Sequence, residues 1–175
     1  KQEEITEMFD MHINGALAFT DDKNSIQNAM LMNIALEYAK NFDGLIMTTS
    51  VDAYLAKKGQ INESVISTKM GLKPLPELSE NIMIDRDLTI LKYTQSKLHL
   101  STISSYNSVK KIKQAKKNKL NISADVAAYS LLMSDEWFQN FDSNLKVLPP
   151  LRSEKTRKEL INGIINGTID AVTSD

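Results

Sequence analysis

The amino-acid sequence predicts an α/β protein whose strands run parallel. Short apolar runs alternate with amphipathic helical stretches, the order from which parallel βαβ units are built. The runs are unbroken rather than alternating, as expected of strands covered on both faces. Polar residues cluster where the runs end: Asp21–Asp22, Thr48–Thr49–Ser50, His99 with Ser101–Thr102, and Ser174–Asp175. The C-terminal ends of strands are where α/β folds place their working groups.

Taken in order, residues 1–13 read as a helix with Glu near its start, suited to the positive end of the helix dipole, and Gly15 ends it. Residues 16–20 form the first strand. Asn24 or Ser25 caps the next helix, in which Ile26, Met30, Ile34 and Tyr38 recur every four residues as an apolar face. Gly44 stands where that helix needs a left-handed residue to stop. The second strand covers 45–49. Gly59, Gly71, Pro74 and Pro76 then punctuate a loop region. Pro76 opens a long helix reaching about Ser96, with Leu78, Ile82, Leu88 and Leu91 inside. Strands follow at 97–101 and 121–126, separated by a helix over 105–118 that gathers Val109, Ile112 and Ala115 on one side. A short helix over 131–141, a helix over 154–165 capped by Ser153, and a strand over 169–174 complete the pattern.

Composition narrows the function classes. The 175 residues carry 21 Lys plus Arg against 22 Asp plus Glu, a net charge of -1, which argues against a dedicated nucleic-acid binder. With no cysteine there is no disulfide scaffold, thiol nucleophile or thiolate metal site. No apolar run has the length of a membrane helix and no signal peptide is visible, so a cytoplasmic protein is expected. The chain opens on Lys1 and stops just after an apolar run, which predicts an excerpt of a longer polypeptide.

The carboxylates and histidine at these strand ends, from Asp21–Asp22, His99 and Ser174–Asp175, are the vocabulary of a site for zinc or a similar ion. The competing reading makes such an Asp a helix cap and His99 a buried, hydrogen-bonded side chain. His12 reads as a surface residue. The basic run of Lys110, Lys111, Lys113, Lys116, Lys117 and Lys119 reads as a solvated helix face, and Trp137–Phe138 as a core pair.

At the strand ends the sequence resembles a known family. "GALAFTDD" (15–22), "PELSENIMIDRDLTIL" (76–91), "LHLST" (98–102), "KVLPPLR" (146–152) and "NGTIDAVTSD" (166–175) are similar to dihydroorotases, in the family's order and over essentially the whole chain. The resemblance implies a (β/α)8 TIM barrel of the amidohydrolase superfamily, with residues 1–175 covering roughly strands four to eight as a partial barrel domain. It implies the reversible ring closure of N-carbamoyl-aspartate to dihydroorotate in pyrimidine biosynthesis. Zinc is the cofactor it implies, with metal-bound hydroxide attacking the ring amide.

Carried over position by position, the resemblance makes Asp22, His99 and Asp175 metal ligands, and Asp175 also the catalytic proton shuttle. The motif written HCED in the family falls on Thr49–Ser50–Val51–Asp52, so Thr49 stands where a ligand histidine is expected. The PHH motif falls on Ala128–Tyr129–Ser130, and the substrate-contacting asparagine before Pro-Pro-Leu-Arg is Leu148. Thr is a poor zinc ligand because its hydroxyl stays protonated near neutral pH. These losses predict a degenerate dihydroorotase with impaired or absent catalysis. The alternative is a non-catalytic subunit that partners aspartate transcarbamoylase, and a homo-oligomer is expected. Hydantoinase-like chemistry is disfavoured, because those relatives place a carboxylated Lys where this chain has Asp22. Five of eight strands leave open edges, so a chain limited to these residues is expected to aggregate or pair through them.

Overall fold

A computed structural model describes residues 4–140 and 142–174. Five parallel strands form one sheet: β1 (Ala18–Thr20), β2 (Leu45–Thr49), β5 (Lys97–Ser101), β6 (Ile122–Ala127) and β7 (Ala171–Thr173), in that spatial order. These are the five strands expected from the sequence, each beside its predecessor. Helices α2 (Ala29–Lys40), α5 (Glu77–Thr94), α6 (Tyr106–Lys117) and α8 (Glu154–Ile165) connect them, after an entry helix α1 (Met8–Ile13).

The strands are covered unequally. One face buries Ile46, Leu98, Leu100, Ala124 and Val126 in the main core, together with Met32, Leu36, Leu91, Ile112 and Leu160 from the helices. The opposite face carries Leu45, Met47, Lys97, His99 and Ser123, all only partly buried. The expectation of burial on both faces therefore holds for one face only. The unbroken apolar runs reflect the small polar count of each strand, not symmetrical cover.

Helix boundaries follow their caps. Ser105 accepts from the Ser108 amide and Ser153 from the Thr156 amide, starting α6 and α8 where the sequence places them. In α2 the cap is Asn28, which accepts from the Met30 and Leu31 amides. The buried face of α2 is Met32, Ala35, Leu36 and Ala39, while Met30 and Ile34 are exposed. A strict four-residue spacing drifts around the helix, whereas the 32/35/36/39 set follows the 3.6-residue stripe. On α5 the same thing happens: Leu78 and Ile82 are exposed, and the buried face holds Met83, Ile84 and Leu91 with two carboxylates, Glu80 and Asp87.

The left-handed turn after α2 falls on Asp43, with φ 60°, rather than on Gly44. Gly44 serves by its size, since a Cβ there would stand 2.5 Å from the Phe42 ring. Residues 50–76 hold more structure than punctuation suggested: α3 (Ala53–Ala56), β3 (Ile61–Asn62), α4 (Val65–Met70) and β4 (Pro74–Leu75), with β3 and β4 paired in parallel. In place of one helix over 131–141 the chain forms α7 (Ala128–Leu132) and a 3-10 turn over 135–140. Phe138 joins Ile61, Leu145 and Leu151 in a second apolar cluster, while Trp137 is exposed, so the expected core pair is divided.

The β3–β4 ribbon depends on Gly59. A Cβ at this position would lie 2.4 Å from the Pro74 carbonyl oxygen and 2.7 Å from the Leu75 Cβ, a collision with backbone. Gly59→Ala is expected to cost about 1–3 kcal/mol, the range for overpacking a fitted site, read as a lower urea midpoint at unchanged slope.

Candidate functional site

The strand ends gather the positions singled out by the sequence. Asp22 follows β1 in the left-handed region, with φ 53°, and its side chain is exposed. Its carbonyl accepts a 3.3 Å hydrogen bond from the Thr49 hydroxyl at the end of β2. Thr49 itself is buried. The three residues after Thr49 have local duties or none. Ser50 is buried with an unpartnered hydroxyl, the Val51 amide donates to Ser25 Oγ, and Asp52 caps α3 by accepting from the Tyr54 and Leu55 amides.

His99 lies mid-strand on β5. Its Nδ1 is 2.8 Å from Ser123 Oγ and its Nε2 is 2.8 Å from Asp125 Oδ2, both on β6. Asp175 lies outside the described residues. Among the described residues no three His, Cys, Asp or Glu side chains converge in a way that could hold a metal ion.

Thr49, Ser50, Ser101, Thr102 and Leu148 do meet, around a cavity of about 10 Å³. That is room for one water at most. Two of the replaced motif positions, Thr49 and Leu148, thus share one small space, and Leu148 supplies an apolar wall to it. Arg152 and Glu80 close the far side.

Behind this cavity is a buried polar network that sequence reasoning missed. Glu80 accepts from the Ser104 and Ser105 amides at 3.0 Å and from the Ser104 and Ser108 hydroxyls at 2.5 Å. Arg152 donates through Nε to Ser104 Oγ, and through Nη1 to Asn62 Oδ1 and the Leu75 carbonyl. Its Nη2 lies 3.9 Å from Glu80 Oε2. Asn62 in turn donates to Asp135 Oδ2 at 2.7 Å. Burial pushes the Arg152 pKa down, opposed by the carboxylates of Glu80, Glu77 and Asp135, and burial raises that of Glu77. The available signal was Glu80 on the same helical face as Met83, Ile84 and Leu91: a carboxylate in an apolar stripe needs internal donors.

The remaining candidates are structural. His12 is half-buried, stacks on Phe42 with ring centroids 4.9 Å apart and places Nδ1 3.3 Å from the Ala16 carbonyl oxygen. On the basic helix Lys111 pairs with Asp85 and Lys116 with Asp170, while Lys110 sits 4.0 Å from the Tyr106 ring centre. No helix among the described residues is long and apolar enough to cross a membrane.

Comparison with known proteins places this geometry in context. The family model described as dihydro-orotase-like matches residues 1–108. The dihydroorotase of Syntrophus aciditrophicus is 37% identical over 171 residues, covering 98% of this chain and 40% of that protein. The dihydroorotase of Caldanaerobacter subterraneus subsp. tengcongensis is 38% identical over 175 residues, covering 41% of its length. The chain therefore spans about two-fifths of the relatives it matches. Among solved structures, a D-hydantoinase superposes with a TM-score of 0.78 at 22% identity, over 98% of this chain and 41% of that one. The L-hydantoinase (dihydropyrimidinase) from Arthrobacter aurescens gives 0.80 at 19% identity, over 97% and 40%. At these identities the likeness speaks for the fold, a stretch of TIM barrel, and not for a substrate.

Proposed function

Because the chain belongs to the dihydro-orotase-like family, we propose that it is a stretch of dihydroorotase barrel whose cyclic-amide chemistry is impaired or lost. One observation carries the reading. Thr49, at the position where the resemblance expects a ligand histidine, spends its hydroxyl on the Asp22 carbonyl. The surroundings support it. Leu148 stands where a substrate-contacting asparagine is expected, and it lines the same small cavity as Thr49. A site that recognises a polar substrate discriminates through paired hydrogen bonds, and an apolar wall offers none.

The test uses the full-length protein with its natural flanking sequence. Dihydroorotate hydrolysis and the reverse closure of N-carbamoyl-aspartate are followed with and without added zinc, and bound metal is counted by elemental analysis. The expected result is no turnover above the blank in either direction. Zinc-dependent turnover overturns the reading.

The buried Glu80–Arg152 network ties Asn62, Leu75 and Ser104 together while Thr49 and Leu148 stand at replaced motif positions, and that contrast favours a structural role in pyrimidine biosynthesis. Aspartate transcarbamoylase is the partner this role would serve, in the cytoplasm. Co-purification with it at fixed stoichiometry is the expected outcome; its absence removes the partnership.

A further inference from the structure

We infer that Asp125 locks His99 in its Nε2–H form while the Ser123 hydroxyl takes up the lone pair left on Nδ1, the two together withdrawing the imidazole from metal chemistry and making Ser123–His99–Asp125 a polar tie between β5 and β6. The inference deepens the reading of a degenerate site.

Register brings the three side chains together. His99 and Ser123 are direct partners in the β5–β6 ladder, and Asp125 lies two residues further along the same face of β6. The imidazole spans them, with 2.8 Å at each nitrogen. A carboxylate oxygen accepts, so the nitrogen facing it carries the proton. A metal takes a nitrogen lone pair, and a ring nitrogen that donates a hydrogen has none to give. In a metal site the carboxylate orients the ring from the nitrogen that does not touch the ion. Here both nitrogens are occupied inside the sheet.

Asp125 is itself held. Its Oδ1 accepts from the Thr102 amide at 2.7 Å, and its carbonyl accepts from the Ile103 amide at 3.0 Å. Thr102 is a β-branched residue with φ 50°, a conformation such residues rarely adopt. Rotating Asp125 away from His99 would release the turn that carries Thr102 to the cavity rim. The two side chains of the pair are 12% and 11% exposed, so water competes weakly for the bond. Their other neighbours in the ladder offer no ligand: Met47 lies opposite His99 on β2, and Ala171 opposite Asp125 on β7. Asp125 is thus a positioning residue, acting on the site through His99 and Thr102.

Nitrogen-15 NMR of the imidazoles in the full-length protein tests this. The expected spectrum shows the His99 Nε2–H pattern, unmoved within a linewidth by one equivalent of zinc or by a chelator. In Asp125→Ala the pattern is expected to relax to a mixture of tautomers, and amide exchange at Thr102 to accelerate at least tenfold. Ser123→Ala, which leaves Asp125 in place, is expected to retain the Nε2–H signal, so the measurement survives if the first variant does not fold. Loss of the wild-type Nε2–H signal on zinc addition overturns the lock, as does loss of that signal in Ser123→Ala with Asp125 intact. Dihydroorotate turnover by a metal that leaves the His99 signals untouched would sink the proposed function and not the lock.

Discussion

Glu80→Ala in the full-length protein is expected to destabilise the fold by about 3–5 kcal/mol, the range for removing one partner of a buried charge pair. The loss has two parts. Two backbone amides, at Ser104 and Ser105, and two hydroxyls, at Ser104 and Ser108, lose their acceptor. The Arg152 guanidinium, 3% exposed, loses the carboxylate nearest to it, and an Arg cannot escape by deprotonating. Ser108→Ala removes only one hydroxyl donor and is expected to cost about 1 kcal/mol. Replacing both Glu80 and Arg152 by apolar residues of similar size is expected to cost less than Glu80→Ala alone, since no charge is then stranded. Urea denaturation at a common slope reads all three. A Glu80→Ala cost below about 1 kcal/mol would mean that the network does not hold the β3–β4 ribbon and the strand-end turns together, contrary to the geometry.

The reach of that network explains which parts of the molecule the sequence reveals. Features written in local spacing are legible: five strands in order, the Ser105 and Ser153 caps, and the Val109, Ile112 and Ala115 face of α6, which is buried as expected. Features set by distant partners are not. Glu80 finds Ser104 24 residues away, and Arg152 reaches Asn62 across 90. Likewise His99 could be picked out by its family motif, but Asp125 could not. Its meaning comes from the β5–β6 register, which no spacing within one strand encodes. The exposed Met30, Ile34, Leu78 and Ile82 mislead for the opposite reason. They are apolar and regularly spaced, yet they lie off the 3.6-residue stripe that buries Met32, Ala35, Leu36 and Ala39 on α2 and Met83, Ile84 and Leu91 on α5. The replaced motif positions were legible as replacements. That Thr49 and Leu148 share one cavity of about 10 Å³ is a property of the fold alone.

Asp87 gives the chain a pH dependence whose sign is unusual for an ion-paired carboxylate. Its side chain is fully buried on α5, with Oδ1 accepting from Arg86 Nε at 2.9 Å and Nη2 at 2.6 Å, while Oδ2 has no partner. Burial outweighs the guanidinium and pushes the pKa up from 3.8 to about 6. The folded chain therefore keeps a proton that the unfolded chain releases between pH about 4 and about 6. The stabilisation from this group is complete below the lower value and is lost as pH rises through the upper one. The interval corresponds to about 3 kcal/mol. Asp87→Asn keeps the shape and fixes the neutral state. Its unfolding free energy relative to wild type is expected to rise from pH 4 to pH 6 and level off by pH 7, measured by urea titrations at each pH. A difference that is flat or falls over this window would mean that the Arg86 pair outweighs burial after all, placing the folded pKa at or below its ordinary value.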